Sequence, residues 1–122
     1  MDLDHALEAH VLWKVRFRMA MLDQGSVDAE AAGGVVACDL GRWLQAEGRE
    51  RLGGLVAFSE CEARHRDFHA AAGRVARAIN AGRLEEASRL LKPTETFTLS
   101  SAALGRAIVD LLRASKAGAA GA

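Results

Sequence analysis

Apolar residues recur every three or four positions along most of the chain, which is the period of an amphipathic α-helix. In the first segment the apolar stripe contains Leu3, Leu7, Phe17 and Met21, and His10 lies inside it. Stretches that contain glycine, asparagine or proline separate this segment from the later ones. The pattern predicts helices over residues 3–24, 28–46, 58–80, 84–91 and 95–115, with a short helical turn over residues 49–55.

The predicted fold is all-α: an antiparallel four-helix bundle with one or two extra short helices. No stretch alternates apolar and polar residues with a period of two, so no β-strand is predicted. A chain of 122 residues is close to the commonest domain size. We therefore expect a single helical domain over residues 1–116, followed by a flexible tail of small residues over 117–122.

Three glycines lie within the second predicted helix, at Gly33, Gly34 and Gly41. Each costs a helix up to about 1 kcal/mol relative to alanine. Glycines in such positions often mark a local kink or the close approach of another element. Cys38 lies among them, at the start of the block CDLGRW, and we expect Gly41 to let this block approach a neighbouring helix.

The charge balance excludes several classes of partner. The chain has 16 basic and 16 acidic residues, so its formal net charge is zero, which argues against nucleic acid and anionic membranes. No apolar run approaches the roughly 18 to 20 residues that span a bilayer. The acidic start, MDLDHALEAH, is neither a signal peptide nor a transit peptide. We expect a cytoplasmic protein with no nucleic-acid or membrane partner.

The segment ECEARHRDFHAAA carries the first sign of chemistry, because His65 and His69 are four residues apart in a strongly helical stretch. Residues at this spacing lie on one face of a helix, so two imidazoles can bind one metal ion. Arg66 follows His65, so the glutamate of the metalloprotease helix is missing. The pair by itself is also compatible with hydrogen-bonded core histidines.

Candidates for further ligands are few: His5, His10, Cys38, Cys61 and the carboxylates. His10 and Cys38 are predicted to lie on inward stripes of their helices. Together with the pair on the later helix they would supply three neutral imidazoles and one thiolate. That donor set suits zinc, which accepts sulfur and nitrogen in a tetrahedral arrangement and has no redox chemistry of its own.

The sequence resembles the chemoreceptor zinc-binding domain family over nearly the whole chain. The resemblance lies in the block AHVLWKVRFR around His10, the block CDLGRWL from Cys38, and the block HRDFHAAAGRVARAINAG, which contains His65 and His69. It implies that these four residues are the zinc ligands and that Cys38 is redox-sensitive. It also implies a helical bundle that is commonly dimeric, so a homodimer is expected.

The resemblance further implies that the chain is a bacterial regulatory module and not an enzyme. In this family the module lies beside chemotaxis-receptor or diguanylate-cyclase domains. Zinc occupancy, or oxidation of the zinc-bound cysteine by hypochlorous acid, changes their output. The 122 residues contain neither output domain, so we expect either a free-standing module that acts on a separate partner or a fragment. His5 and Cys61 do not match family ligands and are interpreted as structural.

Two other interpretations stay open. Zinc could be only a staple between helices in a structural interaction module, in which case oxidation would have no role. A metalloenzyme or a di-iron bundle is disfavoured, because a four-ligand site leaves no position for substrate and because di-iron bundles need more histidine and carboxylate ligands at paired helical spacings than a chain with four histidines offers.

Overall fold

A computed structural model describes the backbone of residues 1–121 and the side chains of residues 1–117. Within that part every regular element is helical and no strand is present. A 3₁₀ turn, Val35–Ala37, separates the second helix from the third. The all-α prediction is therefore confirmed. The α-helices are α1 (Leu3–Leu22), α2 (Ala29–Gly33), α3 (Asp39–Gln45), α4 (Glu47–Leu52), α5 (Val56–Asn80), α6 (Leu84–Leu90) and α7 (Thr96–Gly121).

The predicted continuous helix over residues 28–46 is wrong. Gly34 and Cys38 both have extended backbone, with φ of −100° and −115°, so the segment consists of α2, the 3₁₀ turn and α3. Part of the reason for this break is a tertiary contact. A β-carbon on Gly33 would lie 3.2 Å from the α-carbon of Gly73, so α2 crosses α5 with backbone against backbone. The glycines thus mark both a break and a close approach.

The three long helices, α1, α5 and α7, pack on one another and supply most of the buried apolar residues. A chain of aromatic rings runs through this core. The centroid of Phe17 lies 5.5 Å from that of Phe97, which lies 5.5 Å from that of Phe68. Phe68 in turn lies 5.2 Å from both His10 and His69. The candidate ligands therefore sit at one end of the aromatic core, with Phe68 beneath them.

Two predictions about the architecture remain open. The described residues contain three long helices and a broken fourth segment, so the four-helix bundle stays a prediction. The flexible tail predicted for 117–122 falls almost entirely on residues 118–122, which lie outside the described side chains. Separately, no helix among the described residues combines the length and hydropathy needed to cross a membrane.

Candidate metal centre

Three of the four candidate ligands are histidines on the core-facing sides of two long helices. His10 lies on α1 in line with the buried residues Ala6, Trp13 and Phe17. His65 and His69 lie one turn apart on the buried face of α5. All three imidazoles are at most 6% exposed, so the helical period of the apolar residues directs them into the interior.

Cys38 comes from the break between the 3₁₀ turn and α3, not from a helix. It is the N-cap of α3, and its sulfur accepts a hydrogen bond from the backbone N–H of Gly41 at 3.4 Å. The extended backbone at this residue carries the thiol toward α5. Cys38 is half-buried, which makes it the most exposed of the four candidates.

The ligand atoms of His10, Cys38, His65 and His69 converge within 4.8 Å of one another. The Cys38 Sγ lies 3.2 Å from His65 Nε2 and 3.7 Å from His10 Nε2. The Nε2 atoms of His65 and His69 are 3.0 Å apart. Zinc bonds of about 2.0–2.1 Å to nitrogen and 2.3 Å to sulfur give tetrahedral edges of about 3.3–3.6 Å. The observed separations bracket those edges, so a zinc ion fits among the four atoms after small shifts.

Backbone carbonyls orient two of the imidazoles. The Nδ1 of His10 lies 2.7 Å from the carbonyl oxygen of Ala6, and the Nδ1 of His69 lies 2.7 Å from that of Ala32. A carbonyl only accepts, so each Nδ1 carries the proton and each Nε2 presents a lone pair to the cluster. This outer hydrogen bond is the usual means of fixing the tautomer of a metal-binding histidine.

Packing, in contrast, holds His65. Its Nδ1 is buried and has no hydrogen-bond partner among the described residues. The ring lies against Gly41, where an added β-carbon would be 3.1 Å from His65 Cε1 and only 1.7 Å from the carbonyl oxygen of Val35. Gly41 therefore lets α3 approach α5 as expected from the sequence, and it leaves room for this imidazole.

Replacing Gly41 with alanine is expected to disturb the cluster. The new methyl group would force the turn at Val35 and the ring of His65 apart, which should lower the free energy of unfolding by about 1–3 kcal/mol. Metal affinity should fall by about 10–100-fold, the usual cost of misaligned ligands. Chemical unfolding and zinc titration measure the two effects. Gly54→Ala is the control, because nothing lies within 4 Å of a β-carbon there. Equal effects in both variants would contradict the role given to Gly41.

Burial keeps the metal-free cluster uncharged. It lowers the pKa values of His10 and His69 and brings the pKa of His65 to about 3, with smaller contributions to His65 from the two neighbouring imidazoles. Burial also raises the pKa of the Cys38 thiol, against smaller opposing effects from nearby backbone N–H groups. The three imidazoles are thus ready to bind a metal, whereas the thiol must first lose its proton.

The remaining candidates lie apart from the cluster. His5 is exposed, and its backbone N–H donates to the Asp2 side chain at the start of α1. Cys61 is fully buried among apolar residues, and burial raises its pKa to about 12, so it is an unreactive core thiol. The carbonyl of Ala32, which lies beside His69, was not among the predicted site groups. No side-chain pattern signals a backbone acceptor supplied by a distant helix.

A model of the chemoreceptor zinc-binding domain matches residues 10–76. The match begins at His10 and encloses Cys38, His65 and His69, so it covers every ligand atom of the cluster and more than half of the chain. Comparisons with curated proteins and with solved structures find no match. The arrangement of three imidazoles and one thiol is thus found inside the matched segment, and the chain belongs to the chemoreceptor zinc-binding domain family.

Proposed function

We propose that this protein is a zinc-binding regulatory module in which Cys38 is the switching ligand. The observation that carries the proposal is the convergence of His10, Cys38, His65 and His69 from three separate parts of the chain. In the proposed four-helix bundle the members are α1, the segment 29–45, α5 and α7. A bound zinc ion would keep the thiol deprotonated and tie the first three members together.

Oxidation of Cys38 is the proposed signal. Hypochlorous acid converts the thiolate to sulfenic acid and releases chloride (RS⁻ + HOCl → RSOH + Cl⁻), so sulfur loses two electrons and chlorine gains them. The oxidised sulfur is a poorer ligand. Because α3 begins directly after Cys38, loss of this ligand would free the start of α3 from His65 on α5. Such a two-state element is what a sensor requires.

The test compares zinc release from wild type and from Cys38→Asp after one equivalent of hypochlorous acid. Aspartate is a zinc ligand and a favourable N-cap, so this variant keeps both roles of Cys38 but cannot be oxidised. We expect wild type to release zinc and Cys38→Asp to retain it. Cys61→Ala should behave as wild type, because Cys61 lies outside the cluster.

The competing function is a zinc staple without a redox role. It predicts that chelation lowers stability in every variant, whereas the oxidant leaves zinc in place in both wild type and Cys38→Asp. Zinc release that is equal in the two proteins would also contradict the switching role of Cys38, since the oxidant would then be acting at another residue.

We also propose that the module is a homodimer that pairs through an apolar face on α1. The face points away from the core, and each of its members is more than half exposed. Its residues recur at helical spacing, so they form one stripe along the helix. An exposed apolar stripe of this kind usually marks a site of interaction with another molecule. The α1 outer face consists of Val11, Leu12, Val15, Met19 and Leu22.

Charges beside the α1 outer face favour a second copy in antiparallel orientation. Glu8 and Arg18 are exposed, and neither forms an ion pair with another described side chain. An antiparallel pair of α1 helices that faces Val11 with Val15 also places Glu8 of one copy beside Arg18 of the other. A parallel pair would instead place like charges together, which is destabilising.

Val15→Glu is expected to convert the dimer to a monomer, because it introduces two carboxylates near the centre of the pair. Light scattering at micromolar concentration measures the change in mass. Val56→Glu is the matched control, since Val56 is 87% exposed and lies outside the α1 outer face. A wild-type monomer, or a Val15→Glu dimer as stable as wild type, would overturn the proposed pairing.

The output partner that we propose is a chemotaxis receptor or a diguanylate cyclase on a separate chain in the cytoplasm. The support is the family, whose description refers to chemoreceptors. Co-purification of the zinc-loaded and oxidised forms with candidate receptors and cyclases tests this partner class. Equal recovery of every candidate with both forms would count against it.

A further inference from the structure

One cavity reaches the metal cluster from the protein surface. It has a volume of about 330 Å³ and lies between α1 and the residues around the 3₁₀ turn. Much of its wall consists of the small side chains of Ala6, Ala9, Ala31 and Ala37. These alanines leave open a space that larger residues would fill. The cavity is large enough for a small molecule and lies within the lower part of the range of ligand pockets.

Only part of the cluster faces this cavity. His10 and Cys38 line it, whereas His65 and His69 do not and are at most 1% exposed. Phe68 packs against the imidazoles of His10 and His69 from the core side. Access to the cluster is therefore one-sided, and the first ligand that a molecule meets on its way in is either the thiol or the imidazole of His10.

The rim contains a stacked pair of large side chains. The guanidinium of Arg16 lies 3.9 Å from the centroid of the Trp13 ring, and both residues line the cavity. Stacking of this kind holds a long side chain in place. Trp13 and Arg16 lie on α1, across the cavity from Ala31 and Ala37, so these two large side chains limit the width of the opening.

We infer that this cavity is the entrance through which small oxidants reach Cys38, and that its width excludes peptide disulfides such as oxidised glutathione. The inference rests on the proposed function, since it explains how the switching ligand is reached. It adds a substrate class: compact oxidants of a few heavy atoms react, whereas attack on a bulky disulfide is blocked because its sulfur cannot approach Cys38 Sγ.

The test narrows the opening of the cavity with larger side chains and measures how fast Cys38 reacts. Ala9 is exposed and is not a candidate ligand, so Ala9→Trp narrows the opening without changing the cluster. All proteins carry Cys61→Ala, so that Cys38 is the single thiol, and are kept free of metal. The reaction of Cys38 with iodoacetamide is followed by mass spectrometry. We expect Ala9→Trp to slow it by about tenfold or more, because access limits the rate. Ala37→Phe should act in the same way from the opposite wall.

The control is Ala102→Trp, which fills a cavity of about 420 Å³ between Leu7 and α7 that touches no candidate ligand. Its rate should equal that of the parent. In the parent, oxidised glutathione should react far more slowly than iodoacetamide after correction for the rates of both reagents with an unfolded form. Filled variants that react as fast as the parent, or a parent that reacts readily with oxidised glutathione, would overturn the inference. Failure of the proposed function would appear separately, as a parent protein that binds no zinc.

Discussion

Replacement of His65 with alanine is expected to lower zinc affinity by about 100–1,000-fold, because a four-ligand site with an apparent binding energy of about 10–16 kcal/mol loses roughly a quarter of it. His65 has the largest effect among the ligands for a structural reason. Its Nε2 lies 3.2 Å from the Cys38 sulfur and 3.0 Å from His69 Nε2, so it links the thiol to the rest of the cluster. Its ring is also fully buried, and water reaches the vacated position poorly.

Competition with a zinc-selective indicator measures this affinity. His5→Ala is the matched control, because His5 is an exposed histidine outside the cluster. His10→Ala should lower the affinity by less than His65→Ala, since His10 Nε2 lies 3.7 Å from the Cys38 sulfur and the imidazole borders a cavity from which water can replace it. A His65→Ala protein that binds zinc within about threefold of wild type would rule out the four-ligand site.

The metal-free protein is expected to lose stability steeply as the pH falls below 6.5, the ordinary pKa of histidine. His10, His65 and His69 have lowered pKa values when folded, so they remain neutral while the unfolded chain takes up protons. The unfolded state then binds more protons, and acid favours it. While such a histidine is neutral in the folded protein and protonated in the unfolded chain, it changes the free energy of unfolding by up to about 1.4 kcal/mol per pH unit, and the contributions of the three histidines add.

For His65 the loss continues down to its folded pKa of about 3. The raised pKa values of Cys38 and Cys61 play no part in this window, because both thiols are protonated in folded and unfolded chains alike at acid pH. Urea unfolding in the presence of a chelator, between about pH 7 and pH 5, measures the slope. His69→Leu should reduce the slope, and His65→Leu should reduce it further, because the pKa of His65 is brought down to about 3. A free energy of unfolding that does not vary over this range would contradict the buried, neutral state of the imidazoles.

The long helices could be predicted from the sequence because their apolar stripes are uninterrupted. Predicted and observed bounds of α5 agree at Asn80 and differ by two residues at the start. The segment 28–46 could not be predicted in the same way. Its residues favour helix locally, and the break at Gly34 accompanies contact between Gly33 and Gly73, forty residues along the chain. A tertiary contact of this kind leaves only the glycines themselves as a signal.

The residues of the candidate site also differ in how well the sequence predicted them. His65 and His69 were identifiable from their spacing on one helix, and His10 from its place on an apolar stripe. Cys38 was a candidate because it was placed on the inward stripe of a continuous helix, whereas its approach to α5 depends on an extended backbone that the helical interpretation did not anticipate. The carbonyl of Ala32, which orients His69, carries no side-chain signal at all.

The visible absorption spectrum of the cobalt(II)-substituted protein tests most directly whether one metal ion is held by three imidazoles and the Cys38 thiolate. Cobalt(II) accepts the same tetrahedral site and reports its ligands. We predict intense visible bands and a near-ultraviolet sulfur-to-cobalt band that saturate at one ion per chain and disappear when zinc is added. In Cys38→Asp the sulfur band should be absent while tetrahedral visible bands remain. Weak bands of octahedral cobalt in the wild-type protein, or a sulfur band that persists in Cys38→Asp, would contradict the assignment of these four residues as the metal ligands.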